Sequence, residues 1–511
     1  MSGYKTVSSN IIVSDYPDPD VIRVDDVYYM VSTTMHFMPG CVILRSYNLS
    51  DWEFASYVFD ELEQTPGQTL SDNRGVYGKG MWAASLKYHD NKFYVCFVAN
   101  DTHKTYLFTA DSIEGPWTRS NIQGFYHDMS LFWDDDGRVY AVCGNTEIHL
   151  IELEADLSGP KKGGVDRVII RDDPEKSVLG YEGSHLYKIN GRYYNFMIHI
   201  PKGKMRTETC FTADKIEGPY TGGDVLCSDL GSWNSGVAQG GIVQDRQGKW
   251  YGILFQDHGA LGRIPVLVPV SFGPDGFPVF GETAPDKNQI APQTVSVLDN
   301  KPDYKYKPLW SNDFTNPAWQ WNHIPDKTLC TRTADKYTIQ TGKTVTNITQ
   351  ACNTLTQRTL SEKCAGVVTI NTADLKDGDI AGLAALEGEY GFIAVKKQQG
   401  KFYLIQAEHK SKNSPWAMGV FDTDPPDIKA ELPVNDTTLL LKIEFDLTRP
   451  VQQAKMFYKL QGAVDFVPLG QPVQLRYTLD QFVGVRFALF AYSTQQTGGK
   501  ADFSDFNYSF L

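Results

Sequence analysis

Along the first half of the chain, short runs in which aromatic residues alternate with polar ones each follow a turn rich in Asp, Asn and Gly. The unit occurs five times: Asp25-Asp26-Val27-Tyr28-Tyr29-Met30, His89-Asp90-Asn91-Lys92-Phe93-Tyr94, Asp134-Asp135-Asp136-Gly137-Arg138-Val139-Tyr140, Ile189-Asn190-Gly191-Arg192-Tyr193-Tyr194 and Asp245-Arg246-Gln247-Gly248-Lys249-Trp250-Tyr251. The intervals are uneven, but each is long enough for a small sheet. Three copies are followed by a second echo, Asn48-Leu49-Ser50-Asp51-Trp52, Ile113-Glu114-Gly115-Pro116-Trp117 and Ile216-Glu217-Gly218-Pro219-Tyr220. A turn carrying Gly or Asn between alternating aromatics reverses the chain without strain, so each echo predicts the outer hairpin of a four-stranded blade. Five units predict a five-bladed β-propeller, with an axial funnel where loops from different blades converge.

The pattern breaks across residues 281–308 into Pro- and Asp/Lys-rich sequence, Ala284-Pro285-Asp286-Lys287 and Lys301-Pro302-Asp303, which reads as a linker. Beyond it lie short alternating runs such as Gly391-Phe392-Ile393-Ala394-Val395 and Lys401-Phe402-Tyr403-Leu404-Ile405, and a close marked by Phe503, Phe506, Tyr508 and Phe510. These describe two packed antiparallel sheets. The expected chain is all-β: a propeller over 1–295, a linker over 296–308, and a β-sandwich of jelly-roll or concanavalin-like form over 309–511.

A length of 511 residues agrees with more than one core. The net charge of −13 argues against nucleic acid or an anionic membrane as partner, because binding to either depends on Lys and Arg releasing counterions. No apolar run reaches the roughly 18 residues of a membrane span. The start, Met1-Ser2-Gly3-Tyr4-Lys5-Thr6-Val7, lacks the apolar core of a signal peptide, so the expected location is cytoplasmic. Eight cysteines without a C-x-x-C pair read as small buried hydrophobes in a reducing compartment.

Three carboxylates stand where blades begin. Asp18, in Tyr16-Pro17-Asp18-Pro19-Asp20-Val21-Ile22, is held between prolines that stiffen the backbone ahead of the first repeat. Asp128, in His127-Asp128-Met129-Ser130-Leu131-Phe132, occupies the same station before the third repeat, and Glu182, in Tyr181-Glu182-Gly183-Ser184-His185-Leu186-Tyr187, before the fourth. Turn formation or plain solvation accounts equally for any one of them alone. Acids at equivalent positions of different blades would face one another across the funnel.

Together these three segments resemble glycoside hydrolase family 43. Trp82-Ala83-Ala84-Ser85 is similar to that family's Trp-Ala-Pro segment, and Gly262-Arg263-Ile264-Pro265-Val266 to its Gly-Arg segment of the closing blade. Ala84 and Ser85 stand where Pro and Asp are usual, and Ser184 replaces a frequent Pro. The resemblance implies Asp18 as general base, Glu182 as general acid and Asp128 as the group that tunes the acid. An inverting glycosidase needs its two acids about 6.5–9.5 Å apart so that water fits between them, which opposite funnel walls can provide. A third carboxylate beside the acid would help it keep its proton near neutral pH.

The resemblance also places His258, in Phe255-Gln256-Asp257-His258-Gly259, at the pocket floor, where it implies Ca²⁺ held through one ring nitrogen with water completing the shell. No organic cofactor is implied. Arg263 is expected to orient a carboxylate or a sugar hydroxyl, Trp82 to stack on sugar, and Phe37, in Met35-His36-Phe37-Met38-Pro39-Gly40, to wall the terminal sugar, with core packing the alternative for both aromatics. Trp310, Trp319, Trp321 and Trp416 are further possible carbohydrate contacts, although a structural role suits the second domain better. The expected function is inverting exo-hydrolysis of α-L-arabinofuranosyl or β-D-xylosyl ends of oligosaccharides from xylan. A non-catalytic sugar-binding propeller and an endo-arabinanase are the alternatives.

Overall fold

The computed structural model describes residues 3–231, 234–284, 288–412, 414, 417–419 and 421–511. Five four-stranded antiparallel sheets follow one another in chain order. Their innermost strands are Asp20–Val24, Met81–His89, Ser130–Trp133, Ser177–Ile189 and Ala238–Gln244, which define blades I to V. Every one of the five repeated turns joins a blade's first strand to its second, as in Val24↔Val27, His89↔Lys92 and Ile189↔Arg192. At Asp90-Asn91 and Asn190-Gly191 both turn residues have positive φ, the geometry that matches the natural twist of a hairpin. The echo segments connect third and fourth strands in blades I, II and IV.

Hydrogen bonds between innermost strands carry the ring from blade to blade. Asp20 Oδ2 in blade I accepts from Leu86 N in blade II at 2.8 Å. Ser85 Oγ in blade II accepts from Leu131 N in blade III at 3.1 Å, and Ser130 Oγ in blade III accepts from Leu186 N in blade IV at 3.1 Å. Tyr187 Oη in blade IV accepts from Ile242 N in blade V at 2.9 Å, and Gly241 N closes the circle by donating to Pro19 O at 3.2 Å. Glycine is required at 241, since a Cβ there would lie 2.7 Å from Tyr187 Oη and 2.8 Å from Asp20 Oδ1. Asp20 also contacts Lys87 Nζ and His185 Nδ1, each at 3.1 Å. Burial alone would raise its pKa, but Lys87, His185 and the Leu86 N–H outweigh burial and hold the carboxyl well below the usual aspartate range.

The outer edge is closed by the N-terminal segment. Tyr4–Ser8 pairs with Thr294–Leu298, and residues 9–11 run against the third strand of blade V, with Leu267 N donating to Ser9 O at 2.8 Å. The expected linker therefore begins inside a strand. Its continuation is strapped to blade I, because Tyr304 Oη and Lys307 N both donate to the buried Glu53 carboxylate, at 2.6 and 3.0 Å.

The remaining chain forms two packed antiparallel sheets. One runs from Asp427–Val434 through Lys401–His409, Tyr390–Gln398, Asp379–Leu386, Arg486–Ser493 and Leu355–Arg358 to Trp319–Asn322. The other is centred on Lys500–Phe510 and Lys363–Asn371. Val368, Leu383, Ile393, Phe487, Phe503 and Phe506 meet between them in one apolar core. Among the tryptophans, Trp319 is buried in this core, Trp310 stacks on Tyr508, and Trp321 lies under Arg332, so these three serve packing; Trp416 lies outside the described residues. No helix of the described residues is long and apolar enough to cross a membrane.

The first sandwich sheet does not stop at its own domain. Its last strand, Trp319–Asn322, pairs with Phe37–Met38 of blade I, through Trp321↔Met38 and Asn322↔Phe37. Asp15 adds a second link: Oδ1 accepts from Arg263 N of blade V and Oδ2 from Gly484 N of the sandwich, both at 2.9 Å.

Asp20→Ala is expected to cost about 3–5 kcal/mol at neutral pH, because it leaves Lys87 and His185 without their buried counter-charge. Ser130→Ala, which removes one neutral hydrogen bond, is expected to cost about 1 kcal/mol. Because the folded-state pKa of Asp20 is depressed, its ionic contribution is present above the ordinary aspartate value of about 4 and is lost as pH falls below it. Urea unfolding of both variants checks the ordering; equal midpoints would remove Asp20 as the keystone of the ring.

Candidate active site

Local backbone irregularities aim side chains into the funnel mouth. Asp18 and Asp128 both have positive φ, 52° and 47°, a conformation that aspartate tolerates better than most residues but that still costs about 1 kcal/mol or more. In blades II, IV and V the innermost strand loses register at its entrance, between Met81 and Ala84, on either side of Glu182, and between Ala238 and Gly240. Such bulges rotate a side chain out of the strict alternation of a strand. They put Trp82 and Glu182 at the mouth.

Asp18 and Asp128 are buried, with side chains 7% and 6% exposed, and Glu182 is 16% exposed. The structure brings Asp128 and Glu182 together with His127, ligand atoms of the three lying within 4.8 Å of one another, and Asp18 is near enough for its charge to raise the pKa of Asp128. Asp18 and Glu182 are held by different partners. Asp18 Oδ1 accepts from Arg263 Nη1 at 2.7 Å. Glu182 Oε2 lies 3.2 Å from His127 Nε2 and also accepts from Asn145 Nδ2.

Burial raises the pKa of Asp18, and the Arg263 guanidinium opposes that rise. Burial likewise raises Asp128 well above the usual aspartate value; His127 opposes it, while the charges of Glu182 and Asp18 add to it. The His127 imidazole is pushed up to about 9, first by the neighbouring Asp128 carboxylate and then by its bond to Glu182. Both members of the His127–Asp128 pair therefore hold protons more tightly than isolated groups, and the proton belongs to the cluster.

Arg263 reaches the Asp18 carboxylate from blade V. Gly262 lets it do so: its φ is 96°, and a Cβ there would sit 2.4 Å from Asp15 Oδ1. The Arg263 side chain is 3% exposed, beneath Phe482 at 4.2 Å from the ring centre. Trp82 is partly exposed, with His127 at 5.6 Å and Phe482 at 6.0 Å between ring centres, a pocket-wall position. Phe37 corrects the expectation. It is 1% exposed and lies under Arg486 at 3.4 Å, because its backbone serves as a strand of the sandwich sheet; it supports the wall from behind and presents no face to a sugar.

His258 is buried. Gln256 uses its amide nitrogen on Asp229 O and Ser235 O and turns Oε1 to His258 Nε2 at 2.8 Å, so Nε2 is the donor and the ring lone pair falls on Nδ1. Burial lowers the imidazole to about 4, with Asp257 opposing and Arg449 adding to the effect. The one group of three His, Cys, Asp or Glu ligand atoms within 4.8 Å among the described residues is His127, Asp128 and Glu182, not a group around His258. Calcium, which prefers oxygen, fits His258 only with water supplying most of its shell.

Sequence reasoning missed His127, Asn145, Asp15 and Phe482. His127 adjoins Asp128 and was open to inspection, whereas Phe482 arrives from the other domain and carries no local mark.

A propeller whose funnel gathers carboxylates from three blades, each with its own charged or polar partner, has the groups needed to cleave a glycosidic bond. Residues 8–278 match the model of glycosyl hydrolases family 43, and residues 310–509 match the beta xylosidase C-terminal concanavalin A-like domain. The chain belongs to glycosyl hydrolase family 43 and is a glycoside hydrolase. It is 25% identical over 566 residues to a beta-xylosidase of Formosa agariphila, covering 99% of this chain and 91% of that one. It is also 25% identical over 293 residues to the non-reducing end alpha-L-arabinofuranosidase BoGH43B of Bacteroides ovatus, covering 54% of each. A solved structure, the bifunctional GH43-CE protein of Bacteroides eggerthii, superposes with a TM-score of 0.88 at 36% identity, over 100% of this chain and 64% of that one.

The electrostatics of the cluster make one direct prediction. The imidazole signal of His127 in NMR should titrate near 9, identified by its loss in His127→Gln. A midpoint below the ordinary histidine value of about 6.5 would contradict the coupling to Asp128 and Glu182.

Proposed function

We propose that the enzyme is an inverting exo-glycosidase that releases terminal β-D-xylosyl or α-L-arabinofuranosyl groups from oligosaccharides derived from xylan. The observation that carries this reading is the separate anchoring of the two outer acids, Asp18 on Arg263 and Glu182 on His127 and Asn145. Asp18, whose Oδ1 is held by the Arg263 guanidinium, is the base that takes a proton from water as it attacks the anomeric carbon. Glu182 is the acid that protonates the departing oxygen. Asp128, whose carboxyl lies with His127 and Glu182 in one cluster, is the group that tunes the acid.

The covering of Arg263 by Phe482, with Trp82 alongside, supports a pocket for one terminal sugar in preference to an open cleft. The names of the Formosa agariphila and Bacteroides ovatus relatives agree with xylose and arabinose as the released sugars. All eight cysteines are free, which suits the cytoplasm and a diet of short oligosaccharides taken up by the cell. Calcium stays part of the proposal as an ion held by His258 and water, where it would supply positive charge at the pocket floor.

Glu182→Gln should lower kcat on glycosides with poor leaving groups by about 10²–10⁴-fold, and by much less on dinitrophenyl glycosides, whose departure needs little proton assistance. Asp18→Ala should suppress both substrate types alike. Equal losses in Glu182→Gln, or a fully active Asp18→Ala, would remove the assigned roles. For calcium, treatment with a chelator should lower both rate and melting temperature, and Ca²⁺ should restore them; if neither changes, the His258 site is not a functional metal site.

A further inference from the structure

Glu182 is gripped by one oxygen. Oε2 accepts from Asn145 Nδ2 and faces His127 Nε2 at 3.2 Å, which occupies both of its lone-pair directions. Among the described residues no hydrogen bond reaches Oε1. Neither donor is free to turn away. Thr146 Oγ1 donates to Asn145 Oδ1 at 2.9 Å, which commits the oxygen end of that amide and points its NH₂ at Glu182. His127 is braced by the Trp82 ring, and its carbonyl accepts from Gly144 N at 3.0 Å, one residue before Asn145. Thr146 N in turn donates to Tyr181 O at 2.8 Å, so the loop carrying Asn145 is fastened to the backbone that carries Glu182.

We propose that His127 and Asn145 are positioning residues that lock Oε2 of Glu182, leaving Oε1 as the oxygen that carries the transferable proton. The inference rests on Glu182 being the general acid. In the step, the Oε1–H bond breaks and an O–H bond forms on the glycosidic oxygen, while the electron pair of the breaking C–O bond leaves with that oxygen. The negative charge left on Glu182 spreads to Oε2, where two N–H donors already stand. Donors fixed before the charge develops stabilise it without reorganisation.

A hydrogen bond to a carboxylate oxygen stabilises the charge left after proton transfer, and both donors stand on Oε2; Asp128 and Asp18 are the acids that face the site, and Arg263 is engaged with Asp18. Removing a donor should therefore weaken the acid. A lone carboxylate pair would hold the proton but release it poorly, and His127 with Asn145 make release favourable.

The test is leaving-group dependence and pH profile in His127→Ala and Asn145→Ala, with His127→Gln as the conservative variant whose amide nitrogen can occupy the place of Nε2. Loss of kcat should be at least about tenfold greater on phenyl glycosides than on dinitrophenyl glycosides, as expected when proton donation is impaired. The basic limb of the pH profile should move to higher pH in both alanine variants, and His127→Gln should recover most of the rate. Equal losses on both substrates with an unmoved limb would mean a merely structural role and would overturn the inference. Glu182→Gln measured in parallel separates two failures. If it also fails to distinguish leaving groups, the acid assignment falls and this inference with it; if it distinguishes them and the His127 and Asn145 variants do not, only this inference falls.

Discussion

Everything at the funnel depends on Asp20. It is a carboxylate at the axis that binds the backbone of blade II, a lysine of the same strand and a histidine of blade IV. An unpaired charge in that position would be expensive, and a neutral residue could not satisfy three donors at once. With it in place, Ser85, Ser130 and Tyr187 pass the same kind of bond from blade to blade. The three candidate acids precede members of this ring in the chain: Asp18 two residues before Asp20, Asp128 two before Ser130, Glu182 four before Leu186. Rigid closure at the axis is what allows acids so far apart in the chain to be held in a common pocket.

Placing three carboxylates together is electrostatically costly, and the site answers with asymmetry. Arg263 sits on Asp18, His127 lies between Asp128 and Glu182, and Asp128 itself has no hydrogen-bond partner for Oδ1 among the described residues. Asp18 thereby has a cationic partner of its own, and Glu182 stands with His127 and Asn145. Separate partners are what the proposed base and acid need to work at the same pH. The sandwich takes part in it, since Asp15 ties Arg263 to Gly484, and Phe482 shields the guanidinium from water.

The propeller was legible because its signals are local: a two-residue turn chemistry and an alternation that repeats blade by blade. Asp18, Asp128 and Glu182 were legible for the same reason, each preceding an innermost strand. Ser85, where the resemblance leads one to expect Asp, turns out to accept the Leu131 N–H, a role that serine fills as well. What could not be read was whatever depends on distant chain meeting distant chain. Phe37 looks like a pocket wall in its own segment and is a buried sheet edge only because Trp321 and Asn322 pair beside it. The bulges around Glu182 and Trp82 leave no mark in composition, and the bond from Asp15 to Gly484 spans 469 positions.

The proposed roles of Asp18 as base and Glu182 as acid have one stereochemical consequence, attack by water on the face opposite the departing group. Proton NMR of the anomeric signal during the first minutes of hydrolysis reads this directly, before mutarotation mixes the anomers. Inversion requires that α-xylose appear first from a β-xyloside. If β-xylose appears first, one of the acids forms a covalent bond to the sugar, and the two carboxylates are not divided by water as the proposed roles require.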